Sequence, residues 1–155
     1  MKRNYVLLAA VLAGAASCST VASAQSGASS AHSARTFTVQ LRHTSLGTIL
    51  SSSSGSTLYL FTRDHGSANS CVKVSGCPAA WPALEVSGSA TGGPGVQASL
   101  LSTIRLPGGA KQVVYAGHPL YLFSDDDKPG SVSYVGVTEF GGAWDAVNAA
   151  GRSVK

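Results

Sequence analysis

From Thr36 to Arg42 apolar and polar residues alternate strictly, with Phe37, Val39 and Leu41 on one side and Thr38 and Gln40 on the other. That period of two predicts a half-buried strand. A second short strand is expected over Leu46–Leu50, a turn over Ser51–Ser56, and a third strand over Thr57–Thr62. The third strand is apolar on both faces, Leu58 and Leu60 on one and Tyr59 and Phe61 on the other, and strand–turn–strand reads as a hairpin. After an irregular stretch, Pro78–Trp81 suits one helical turn and Leu84–Val86 a brief strand. Ser87–Gly95 is rich in Gly and Ser and reads as a surface loop. Leu101–Leu106 and Gln112–Ala116 flank Pro107-Gly108-Gly109-Ala110, a hairpin turn. A strand is predicted over Leu120–Ser124, a type II turn at Lys128-Pro129-Gly130, an extended run over Val132–Val137, and a last strand over Trp144–Asn148. Beyond the first residues no stretch sustains a 3.6-residue period. The expected fold is mainly β, with short helical turns at most.

The pattern also repeats. Leu58-Tyr59-Leu60-Phe61 is followed by Asp64, and Leu120-Tyr121-Leu122-Phe123 by Asp126. Ala80-Trp81 follows the first copy and Ala143-Trp144 the second, 22 residues after Tyr59 and 23 after Tyr121. Upstream, Leu46-Gly47-Thr48-Ile49 is read as the counterpart of Leu101-Ser102-Thr103-Ile104. Two tandem hairpin-containing repeats, about 45–86 and 99–151, are expected to pack as one small domain spanning 35–155. A single repeat is marginal for folding alone.

The chain opens with Lys2 and Arg3 and an apolar run from Tyr5 to Ala16, too short to span a bilayer and followed by small residues. Residues 1–24 read as a signal peptide with cleavage after Ala22-Ser23-Ala24. Ala15-Ala16-Ser17-Cys18 resembles a lipobox, which makes Cys18 the candidate lipidation residue and sole membrane anchor. Residues 25–34 carry almost nothing to bury and read as a flexible tether. Setting Lys2 and Arg3 aside, the formal charge of +4 falls to nine basic residues against seven acidic, scattered singly. No basic stripe marks the chain as a nucleic-acid binder.

With Cys18 cut away or lipidated, Cys71 and Cys77 remain. An even pair in an exported chain argues for a disulfide over free thiols or half of a metal site. Asp64 and Asp126 sit just past apolar strands, with Gly66 and Gly130 behind them. Such carboxylates accept backbone N–H groups of the following turn; the sharper alternative makes them ligands to a cation. Asp125, Asp126 and Asp127 form an acidic cluster without EF-hand spacing and are the weak metal candidates. Tyr59, Phe61, Trp81, Tyr121, Phe123 and Trp144 are expected to form the core. His65 and His118 fall in turns without a catalytic partner, and no zinc-protease, haem-attachment, nucleophile-elbow or phosphate-loop motif is present.

Together these residues resemble a family of bacterial secreted repeat proteins, predicted lipoproteins with a Tyr-x-Phe-x-x-Asp motif. Tyr59, Phe61 and Asp64 match it, as do Tyr121, Phe123 and Asp126. Cys71 and Cys77 followed by Trp81-Pro82-Ala83-Leu84, and Tyr115-Ala116-Gly117-His118-Pro119-Leu120-Tyr121 with Gly141-Gly142-Ala143-Trp144, fit as well. Five residues separate the cysteines, wider than the family's spacing, and Ala83 stands where a second Pro is expected. The resemblance implies an exported or envelope-anchored β-rich domain and no established activity. The expectation is therefore a non-enzymatic binding or interaction module for an envelope or extracellular ligand, secreted, periplasmic or lipid-anchored, without a cofactor. The alternative is a redox- or metal-linked accessory protein using haem, calcium or a transition metal.

Overall fold

A computed structural model describes residues 37–155; the expected signal peptide, the whole tether and Cys18 lie outside the described residues. The described residues form ten short strands. The first half contributes β1 (Val39–Thr44), β2 (Gly47–Ser52), β3 (Tyr59–Phe61), one helical turn α1 (Cys77–Ala80) and β4 (Glu85–Val86). The second contributes β5 (Leu101–Arg105), β6 (Lys111–Tyr115), β7 (His118–Pro119), β8 (Val137–Glu139), β9 (Gly142–Val147) and β10 (Ser153–Val154). Single 3-10 turns occupy Cys71–Lys73 and Ala98–Leu100. The domain is thus mainly β, with antiparallel sheets.

Each half opens with a hairpin. β1 pairs with β2 in register Val39↔Ser52 to Thr44↔Gly47, and β5 pairs with β6 in register Leu101↔Tyr115 to Arg105↔Lys111. This corrects the sequence alignment upstream of the motif. Leu46–Ile49 leads into the second strand of its hairpin, whereas Leu101–Ile104 lies in the first strand of the other. Both carry the same short apolar pattern, so pattern alone does not fix which strand is which. The hairpin expected between Leu46–Leu50 and Thr57–Thr62 is also different. Ser51 and Thr57 form only an isolated bridge, β2 takes β1 as its partner, and β3 pairs with β9, in register Tyr59↔Ala146, Leu60↔Asp145 and Phe61↔Trp144.

β3 is the hub because it has apolar side chains on both faces. Leu58 and Leu60 enter an aliphatic cluster with Val39, Leu50, Val113 and Leu120. Tyr59 and Phe61 enter an aromatic cluster with Trp81, Tyr121, Trp144 and both cysteines. Burying each such aliphatic side chain stabilises the fold by roughly 1.5–3 kcal/mol.

The two motif segments pair reciprocally across the halves. Tyr59 N–H donates to the Tyr121 carbonyl at 3.0 Å, and Tyr121 N–H returns the bond to the Tyr59 carbonyl at 2.9 Å. Thr62 N–H reaches the Ala143 carbonyl, and Ser124 N–H the Ala80 carbonyl, both at 2.9 Å. Each motif segment therefore lies against the tryptophan-bearing segment of the other half. The expected strand over Leu120–Ser124 is reduced to bridges at Tyr121, with Tyr59 and Ala83. Its bond from Leu122 N–H to the Pro82 carbonyl is not returned, because Pro82 has no N–H to complete a ladder pair.

Two further local expectations differ. Val132–Val137 is not extended throughout: Ser133–Gly136 form turns and β8 begins only at Val137. The last predicted strand starts earlier, at Gly142, and β10 follows it. The type II turn is present. Ser131 N–H donates to the Lys128 carbonyl, and Gly130 takes φ +77°, the left-handed value that position requires.

Candidate functional site

Just past each motif segment the chain turns sharply, Asp64 N–H bonding back to the Phe61 carbonyl at 3.0 Å and Asp126 N–H to the Phe123 carbonyl at 3.4 Å. This turn lifts the two aspartates out of the ladder with their side chains half-buried. The Asp64 carboxylate accepts the Ser70 N–H through Oδ1 at 2.7 Å and the Tyr121 hydroxyl through Oδ2 at 2.8 Å. The Asp126 carboxylate accepts the Tyr59 hydroxyl, at 3.0 Å to Oδ2. The tyrosine of each copy thus ties the aspartate of the other. Within one copy Tyr59 and Asp64 do not bond.

Burial pushes both carboxyls above the ordinary 3.8. For Asp64 the bonds from Ser70 and Tyr121 oppose that rise, as does nearby His118. For Asp126 the hydroxyls of Tyr59 and Ser131 oppose it, while the Asp127 charge adds to it. Desolvation of the charged form outweighs the bonds that favour it. Burial first, and the adjacent carboxylate second, hold the Tyr59 and Tyr121 hydroxyls far above the ordinary 10.0.

Between the two tyrosine–aspartate ties lies a stack of rings. Trp81 and Trp144 are parallel, centroids 4.1 Å apart and planes 2° apart. Phe61 stacks on the outer face of Trp144 at 4.0 Å, and Phe123 lies against Trp81 at 4.4 Å. Tyr134 continues the column beyond Phe123 at 4.1 Å. Tyr59 meets Trp81 edge-on, and Tyr121 meets Trp144 edge-on, both at 5.1 Å. Such pairs contribute about 0.5–1.5 kcal/mol each beyond area burial. Five of the six aromatics expected in the core are buried; Phe123 is only half-buried, next to the half-exposed Tyr134 at the open end of the column. The indoles differ in one respect. Trp81 Nε1 donates to Glu139 at 3.0 Å, whereas the buried Trp144 Nε1 has no partner among the described residues.

Cys71 and Cys77 are disulfide-bonded with Cα atoms 5.4 Å apart. The bond closes the loop that leads into α1 and packs in the aromatic cluster. Asn69 braces the same loop. Its Oδ1 takes the Val72 N–H and its Nδ2 donates to Gln112 Oε1 at 2.7 Å; Gln112, fully buried, passes the chain on to the Leu120 carbonyl. Sequence reading missed Asn69, Gln112 and Glu139, because nothing local marks a polar residue whose partner lies 43 or 58 positions away.

The remaining candidates are not gathered. Asp125 and Asp127 are exposed, and Asp125 accepts only the neighbouring Ser124 hydroxyl. Among the described residues no three His, Cys, Asp or Glu side chains stand close enough to hold a metal ion. His65 is exposed, while His118 borders a shallow depression of about 400 Å³ that Asp64, Phe61 and Arg152 also line. A larger cleft of about 560 Å³ opens beside the disulfide loop. Pro78, Pro82 and Pro107 form its walls, Trp81 its inner edge, and Asn69 and Glu85 bring polar groups to it.

These features define a small antiparallel β domain whose two halves are tied by reciprocal tyrosine–aspartate bonds around one aromatic column. Residues 102–148, which run from β5 through β9, match a family described as a secreted repeat of unknown function. That match agrees with the family resemblance drawn from the sequence. It covers the second copy of the motif and not the first. No curated protein and no solved structure matches the chain. The family description fits an extracellular location, and no helix among the described residues is long and apolar enough to cross a membrane.

Proposed function

We propose that this protein is an exported, non-enzymatic binding module made of two copies of one unit, with its ligand in the cleft beside the Cys71–Cys77 loop. One observation carries the reading. The groups that could have done chemistry in the repeated motif are committed to each other: Tyr59 to Asp126 and Tyr121 to Asp64. The motif therefore builds a frame, and recognition falls to a surface the frame holds rigid. The cleft of about 560 Å³ is of ligand size. Three prolines and a disulfide stiffen its walls, so little conformational entropy is lost on binding. Its polar groups are few, which suits an uncharged or weakly cationic ligand meeting Glu85. The signal peptide would export the module, and a lipid on Cys18, where that residue is kept, would hold it at the envelope through the tether.

The test is amide NMR of the mature protein titrated with a library of small neutral and cationic fragments. Resonance shifts that cluster at Val72, Ala83, Glu85 and Leu106, and that vanish in Ala83→Trp, support the reading. Binders that instead gather at the Asp125–Asp127 loop, or stoichiometric metal or haem in the purified protein, would favour the metal- or redox-linked alternative.

A further inference from the structure

The aromatic column has a property that packing alone does not require. Its five rings, Tyr134, Phe123, Trp81, Trp144 and Phe61, follow one another at centroid distances of 4.1, 4.4, 4.1 and 4.0 Å. One end is half-exposed at Tyr134, and both tryptophans are buried. On each indole a tyrosine stands edge-on at 5.1 Å, and each of these tyrosines donates its hydroxyl to a carboxylate.

We propose that this column is a relay for oxidising equivalents, carrying an electron vacancy from Tyr134 at the surface through Trp81 and Trp144 to the two tyrosine–aspartate pairs, which hold it as a neutral tyrosyl radical. Tryptophan and tyrosine are the side chains that yield an electron most readily; the parallel Trp81 and Trp144 overlap face to face, while the tilted Phe123 and Tyr134 and the edge-on Tyr59 and Tyr121 couple to them through ring contact. Phe123 is too hard to oxidise to be a station, so the electron crosses that one ring between Trp81 and Tyr134. Tyrosine gives up an electron at moderate potential only if its phenolic proton leaves at the same time. The receiving base must therefore already be hydrogen-bonded. Both tyrosines on the column meet that demand, with carboxylate oxygens at 2.8 and 3.0 Å. Tyr115 provides the contrast within the same core. It is equally buried but stands off the column, and its hydroxyl donates to the Ala149 carbonyl, which cannot accept a proton.

A one-electron outer-sphere oxidant at Tyr134 gains one electron. Tyr121 loses that electron through the stacked rings, and its hydroxyl proton moves to Asp64. The products are the reduced oxidant, a neutral Tyr121 radical and an Asp64 carboxylic acid. Tyr59 and Asp126 do the same, so the domain stores two equivalents. The relay does not depend on the cleft and stands or falls separately from the proposed ligand.

The test is flash-quench oxidation of the mature full-length protein by photogenerated tris(bipyridine)ruthenium(III), followed by transient absorption. Wild type should show a tryptophan radical that decays as a tyrosyl radical rises. In Tyr59→Phe/Tyr121→Phe the tyrosyl rise should vanish and the tryptophan radical should live about a hundredfold longer, the low end of what a positioned proton acceptor contributes. Asp64→Asn/Asp126→Asn should give the same result with the phenols still present, while Tyr115→Phe should behave as wild type. Near-UV circular dichroism checks that each variant retains the packed column. A tyrosyl signal of full size in Tyr59→Phe/Tyr121→Phe, or a wild-type tryptophan radical that decays without passing to tyrosine, overturns the proposal.

Discussion

The reciprocal ties make a prediction that no within-motif reading would make. Tyr121 and Asp64 belong to different copies, 57 positions apart, yet bond at 2.8 Å; Tyr59 and Asp64 belong to one copy and do not bond. A double-mutant cycle of Tyr121→Phe with Asp64→Ala should therefore show coupling, and a cycle of Tyr59→Phe with Asp64→Ala should not. The magnitude follows from the geometry. A hydrogen bond to a charged group is worth about 1.5–3 kcal/mol when buried. Asp64 is only half-buried, so water replaces part of the lost bond and the expected coupling is about 1–1.5 kcal/mol. Asp64→Ala alone also strands the Ser70 N–H and should cost about 1–3 kcal/mol. Asp64→Asn should cost less, because the amide can accept from Ser70 and donate to the Tyr121 oxygen, and it removes a desolvated charge. Urea unfolding at neutral pH, with an unchanged slope across the four proteins, measures both cycles. Equal coupling in the two cycles, or coupling only between Tyr59 and Asp64, would refute the cross-tie.

Reduction of the Cys71–Cys77 bond should lower stability by about 2 kcal/mol, since the closed loop is short, and should loosen amide protection between Ser67 and Pro78 without unfolding the domain; hydrogen exchange reads both. Gly130→Ala should cost about 1–2 kcal/mol, because φ is +77° and an added Cβ would meet Arg42 Cδ at 3.0 Å; thermal unfolding checks it. The pH dependence has a definite sign. Both aspartates have folded pKa values raised above 3.8, so the folded state binds more protons than the unfolded state between 3.8 and those raised values. Their contribution is fully present below 3.8 and is lost as pH rises through the folded values. Stability measured relative to Asp64→Asn/Asp126→Asn should therefore fall as pH is raised through that window, and a rise there would contradict the burial of these groups.

Much of the frame was legible in the chain. Leu58 and Leu60 part from Tyr59 and Phe61 as the period of two requires, the paired cysteines are bonded, and Pro129-Gly130 builds its turn. These features depend on neighbours a few residues away. What was not legible is pairing over distance. Thr57–Thr62 looked like the return strand of a local hairpin because a Ser- and Gly-rich turn precedes it. A strand apolar on both faces needs partners from elsewhere, and Phe61 finds Trp144. The first hairpin was set out of phase for a related reason. Leu46–Ile49 and Leu101–Ile104 are each a short apolar run beside a turn, and only hydrogen bonding distinguishes an outgoing strand from a returning one. At the candidate site the sequence placed both aspartates just past apolar strands, which holds for Asp64 after β3, whereas the segment before Asp126 forms only bridges. It could not show that each would be claimed by the tyrosine of the other copy, nor that Glu139 would reach Trp81.

Whether the repeated aspartates belong to the frame or are ligands is tested most directly by thermal unfolding of Asp64→Ala/Asp126→Ala and wild type, each with and without Ca²⁺. The double variant should melt well below wild type in the absence of metal, and Ca²⁺ should leave both proteins unchanged. A double variant that melts like wild type, with Ca²⁺ stabilising wild type alone, would make the aspartates ligands and contradict the account.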